Sequence, residues 1–133
     1  MLAAVLAVAM LAQSYGASDG RFGLVCHTHT TTTEAGKQTS DDDIQRIDVD
    51  LTAMVACRFG KCLKIREATP TEITFIDQAA DPTNEFSTEH RFYVDRTNGK
   101  LEEHLFSPGI KTSIQIDGTC ERALWSPPPK TLF

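Results

Sequence analysis

Residues 22 to 34 read Phe-Gly-Leu-Val-Cys-His-Thr-His-Thr-Thr-Thr-Thr-Glu, and the fold class turns on how this stretch is taken. Phe22, Leu24 and Cys26 occupy alternate positions, the spacing of one face of a β-strand. His27 and His29 then leave the opposite face, toward solvent. The threonines read as the strand running out into a polar loop over residues 28–43. Working outward, the same period recurs. Ile47, Val49 and Leu51 share a face against Arg46, Asp48 and Asp50; Leu63 and Ile65 alternate with Lys64 and Arg66; Ile73 and Phe75 flank Thr74. Phe92 and Val94 lead through Asn98-Gly99 to Leu101 and Leu105, and Ile114, Ile116 and Cys120 form the last apolar face. Asn98-Gly99 is the clearest hairpin turn, since both residues tolerate positive φ.

Segments of this length and period, separated by Gly, Pro, Asn and Asp, predict an all-β chain: an antiparallel meander of about seven or eight short strands. Its apolar face must be covered, by closing into a barrel or folding into a sandwich. Residues 44–56 also fit a helical stripe through Ile44, Ile47, Leu51, Met54 and Val55, but Val49 falls off it. Strand to about Leu51, then a short helical turn before Cys57, accommodates both patterns.

The first charged side chain is Asp19. The apolar run from Leu2 to Ala12 is too short to span a bilayer and suits a secretory signal, residues 1–16, cut after Ser14 or after Gly16. A buried N-terminal helix is the other reading of that run. Residues 17–133 are then a single β domain of a size that buries about two thirds of its surface. It ends in a proline-rich tail, 126–133, of extended chain. Four cysteines in a small exported chain favour two disulfides over a zinc cage, because Cys26, Cys57, Cys62 and Cys120 lack paired C-x₂-C spacing. Three connectivities are open; Cys57 and Cys62 flank only Arg58-Phe59-Gly60-Lys61, a turn that suits local pairing, which would leave Cys26 to join Cys120, a link that suits barrel closure.

Thirteen basic against eighteen acidic residues leave a net charge of −5. That balance argues against a nucleic-acid partner, whose phosphates need a basic face, and against anionic lipid. No catalytic constellation emerges. Cys26 and His27 leave opposite faces of their strand and cannot pair. Glu102 and Glu103 diverge likewise, and no phosphate loop is present. Glu103 stands out because it shares the face of Leu101 and Leu105, which places it at a barrel mouth or on an edge strand. His27 and His29 share a face, the geometry of His-x-His chelation of Zn²⁺ or Cu²⁺, but no spacing supplies a third ligand. The turn between Cys57 and Cys62 offers Phe59, flanked by Arg58 and Lys61, to a partner.

The ordered set Phe22-x-Leu24-x-Cys26, Arg46-Ile47-x-Val49-Asp50-Leu51, Cys57-x₄-Cys62, Asp95-Arg96-x-x-Gly99, Gly118-x-Cys120 and Lys130-Thr131-x-Phe133 resembles small exported bacterial proteins of unknown function, chiefly from alphaproteobacteria. The chain is more distantly similar to the periplasmic inhibitors of C-type lysozyme, small disulfide-closed β-barrels with a cysteine in the first strand and one near the end. It lacks their tryptophan-rich lysine–glycine segment, having Trp125 alone. The expectation is a periplasmic or secreted, non-enzymatic binding or structural module of the envelope, without a cofactor. The alternatives are a small barrel acting as inhibitor or ligand carrier, and a metal binder using His27 and His29. The partner is an envelope protein or a small ligand, and no membrane span is expected in the mature chain.

Overall fold

A computed structural model describes residues 20–127. The proposed signal segment and the tail beyond Pro127 lie outside the described residues. Among the described residues nine strands form one antiparallel sheet: β1 (Arg21–Glu34), β2 (Lys37–Asp50), β3 (Val55–Arg58), β4 (Lys61–Lys64), β5 (Glu67–Ala68), β6 (Glu72–Gln78), β7 (Glu89–Asp95), β8 (Lys100–Ser107) and β9 (Thr112–Ala123). The described chain has no helix. Spatial order is β4-β3-β2-β1-β9-β8-β7-β6-β5, two meanders joined where the first strand pairs with the last, and the sheet curls into a half-barrel. Its two edges approach at Ile65 and Arg66. The Ile65 amide donates to Met54 O and the next amide, Arg66, to Thr74 O, on opposite sides of the sheet.

The alternating residues build the core as their period requires. Phe22, Leu24 and Cys26 of β1, Ile47 and Val49 of β2, Phe92 and Val94 of β7, and Leu101 of β8 all point into the curl and are buried. Phe75 and Phe92 stack with ring centroids 4.6 Å apart. Phe75 reaches this position through an irregularity between Thr74 and Ile76, where β6 shifts register against β7.

Residues 28–43 are not a loop. They are the distal half of a long hairpin, Thr28 opposite Asp43 and Glu34 opposite Lys37, turning through Ala35 and Gly36, both at positive φ. The threonine run is also paired on its other side to β9, Thr28 to Gly118 and Thr33 to Ser113, so it lies inside the sheet. Threonine is β-branched and satisfied at the pleat, so the run makes strand without apolar alternation. Beyond Leu51 the chain makes a turn over 51–54, with Met54 at positive φ, and re-enters the sheet as β3. The Asn98-Gly99 hairpin forms, but only Gly99 takes positive φ; Asn98 Oδ1 instead accepts the Lys100 amide. A Cβ on Gly99 would strike the Cys120 carbonyl oxygen.

Disulfides join Cys26 to Cys120 and Cys57 to Cys62, and each links residues directly opposite in register. The first closes a separation of 94 residues across the β1–β9 seam. This pairing is that of a chain folding in an oxidising, extracytoplasmic compartment.

Candidate functional site

Beginning from the turn that the sequence singled out, β3 and β4 form a ribbon whose closing residues, Phe59 and Gly60, have φ of 52° and 73°. Positive φ at both positions is the two-residue type I′ connection, which favours Asn-Gly. A phenylalanine in the left-handed region is sterically disfavoured. The residue is 70% exposed, its ring 5.7 Å from the Arg58 guanidinium, and it contributes little to the core. The Cys57–Cys62 bond pins the ribbon immediately behind it. Lys61 is exposed beside it. A groove of about 440 Å³ runs alongside, lined by Arg46, Asp48, Cys57, Phe59 and Pro127. The chain reaches this groove over the outer face of β1. Arg46 donates to the Leu124 carbonyl, the Ser126 amide donates to Asp48 Oδ1 at 3.0 Å, and Gly23 leaves the space that both Arg46 and Leu124 O occupy.

Arg58 does not stand outside with Phe59 and Lys61 as a second surface cation. It follows buried Ala56 by two positions and therefore points inward. Its guanidinium makes a bidentate pair with Glu103, Nη1 to Oε1 at 2.7 Å and Nη2 to Oε2 at 2.6 Å, and packs 4.1 Å from the Phe92 ring centroid. His90 Nε2 lies 2.7 Å from Glu103 Oε2, and Arg58 Nη1 also donates to Gln45 Oε1 at 3.3 Å. Glu103 is only 2% exposed, and β8 lies between β7 and β9. The mouth-or-edge position expected for this residue is thus corrected to a buried carboxylate in the middle of the sheet. Burial pushes its pKa up, but the hydrogen bonds from Arg58 and His90 outweigh that and hold the carboxyl below its ordinary range.

Sequence reasoning missed Gln45 and His90 as members of this cluster. Each carried a signal: Gln45 shares the face of Ile47, and His90 that of Phe92. The cluster is closed chemically. Both oxygens of Glu103 are engaged, and no buried side-chain polar atom among the described residues lacks a partner. Such a group fixes register and orientation.

His27 and His29 project from the outer face, as their alternation with Cys26 requires. His29 Nδ1 is 2.7 Å from Asp42 Oδ1, while His27 lies between Ile44 and Thr119 in register. Among the described residues no group of three or more His, Cys, Asp or Glu side chains is gathered to hold a metal ion. Arg46 and Asp48 form a solvent-side pair at 2.8 Å, as does Arg21 with Asp50 at 3.1 Å. No helix among the described residues is long and apolar enough to cross a membrane.

No family model, curated protein or solved structure matches this chain.

Proposed function

We propose that this protein is an exported, non-enzymatic binding module of the bacterial envelope that engages a protein partner through Phe59. One observation carries the reading: an exposed aromatic side chain in a strained backbone conformation, at the tip of a disulfide-pinned ribbon. Turn chemistry favours Asn at that position and the core does not need the ring, so recognition is the use that accounts for it. Preorganisation supports the same reading. The Cys57–Cys62 bond and the anchored Arg58 hold the turn behind Phe59 before any partner arrives, which reduces the entropy lost on docking. The groove beside Phe59 gives the ring's neighbours somewhere to seat a partner side chain. The two disulfides, the uncharged apolar start and the resemblance to small exported proteins support a periplasmic or secreted location.

The test is photo-crosslinking from position 59. The chain carrying p-benzoylphenylalanine there, irradiated in envelope extract, should yield one discrete adduct. Excess wild-type protein should compete it away, and Phe59→Asn protein should not. A diffuse smear, or equal competition by Phe59→Asn, would remove Phe59 from recognition. An adduct with an envelope hydrolase whose activity falls on binding would make the module an inhibitor.

A further inference from the structure

The two disulfides sit in opposite surroundings. Cys26–Cys120 lies inside the curl, with both cysteines buried among the core residues. Cys57–Cys62 lies on the outer face. Cys57 alternates with buried Ala56 and therefore points outward, directly opposite Cys62 of β4. Cys62 is exposed, both cysteines line the open groove beside Phe59, and β4 is a terminal strand of the sheet. Lys64, two positions beyond Cys62, shares its face and is exposed, so an incoming thiolate meets a cation there. The loops differ as well: the outer bond closes a separation of 5 residues, against 94 for the inner one. Opening the short loop therefore costs the fold less. Thiolate attack needs access to a sulfur, so an exposed disulfide is the reducible one and a buried disulfide resists.

We propose that Cys57–Cys62 is a thiol–disulfide exchange site, opened by a dithiol of the C-x-x-C class, and that its opening loosens the turn carrying Phe59. One thiolate of the dithiol attacks Sγ of Cys62, the more exposed cysteine. The Cys57–Cys62 bond breaks, a mixed disulfide forms at Cys62, and Cys57 leaves as a thiolate that takes a proton from water. The second thiol then attacks the mixed bond, frees Cys62 and closes the dithiol's own disulfide. The dithiol loses two electrons and two protons; the protein gains both, the protons passing to Cys57 and Cys62 through water. Arg58 stays held from inside by Glu103, so the loosening falls on Phe59, Gly60 and β4, which pairs with β3 alone. The left-handed φ of Phe59 already opposes the turn there. Control of recognition by this device rests on the Phe59 reading; the exchange and the loosening do not.

The test incubates the oxidised full chain with graded dithiothreitol, alkylates it with iodoacetamide and reads the labelled cysteines by peptide mass. Cys57 and Cys62 should label at a dithiothreitol concentration about tenfold or more below that which labels Cys26 and Cys120. At that lower concentration amide exchange within β4 should quicken about tenfold or more, while Thr28 to Thr33 stay as slow as in the oxidised protein. Cys57→Ser/Cys62→Ser protein should exchange at the quicker rate at every dithiothreitol concentration, which assigns the effect to the bond and not to the reagent. Labelling of all four cysteines together, or of Cys26 and Cys120 first, overturns the exchange site. Selective labelling with unchanged exchange in β4 overturns the loosening. Neither readout needs a partner, so selective reduction beside a failed crosslink at position 59 tells against Phe59 recognition alone.

Discussion

Glu103 sets the chemistry of the interior through its bonds to Arg58 and His90. A buried ion pair loses more by being broken than it gains by being made, because the remaining charge stays desolvated. Glu103→Gln should therefore cost about 3 kcal/mol in urea unfolding, whereas the double variant Arg58→Met/Glu103→Leu should recover most of that loss. A double variant as unstable as the single one would mean that packing, not charge, is at stake. The pH dependence follows from the lowered carboxyl. Its folded-state value lies below the ordinary 4.5, so its contribution is complete above that pH and is lost as pH falls through the folded-state value. Comparing unfolding free energies from pH 7 downward, wild type should lose stability below about pH 4.5 more steeply than Glu103→Gln. Parallel curves would show that this carboxylate titrates normally.

At the scale of elements, the β1–β2 hairpin is the least obvious part of the structure. Its distal half is threonine, aspartate and glutamine, yet it pairs on both sides of β1. Amide exchange should accordingly be slow from Thr28 to Thr33, at the level of the flanking strands, and a loop-like rate there would contradict the hairpin. Ala35 at φ of 49° is mildly strained beside Gly36, so Ala35→Asn should raise stability by about 0.5 kcal/mol, measurable as a higher urea midpoint. What the sequence made legible is the period-two apolar set: Phe22, Leu24 and Cys26, Ile47 and Val49, Phe92 and Val94. Of the three possible disulfide connectivities, the short loop between Cys57 and Cys62 favoured the one the structure has. The threonine run was not, because its inner and outer faces are both polar and alternation carries no signal there. Short β3 and β5 were missed because two to four residues are too few to show a period. The Gln45, Arg58, His90 and Glu103 cluster was legible only in parts. Alternation places Gln45, His90 and Glu103 on core faces, whereas Arg58 lies in β3, too short to show a period, and the meeting of all four depends on how the sheet curls, which no local pattern encodes.

For the molecule as a whole, closure depends on the β1–β9 seam. Cys26→Ser/Cys120→Ser should cost about 4 to 5 kcal/mol, against about 2 for Cys57→Ser/Cys62→Ser, since the loops closed differ so much in length. Equal losses in thermal or urea unfolding would show that the seam is held by packing and hydrogen bonds alone. The short bridge thus serves the turn more than the global fold, and the turn carries the proposal that Phe59 engages a partner. The most direct measurement is the urea-unfolding free energy of Phe59→Asn. Relief of the left-handed strain opposes loss of the ring's 5.7 Å stacking with Arg58. If the ring is kept for a partner, stability should be unchanged or raised by up to about 1 kcal/mol; a loss of more than about 1 kcal/mol would mean that Phe59 serves the fold instead.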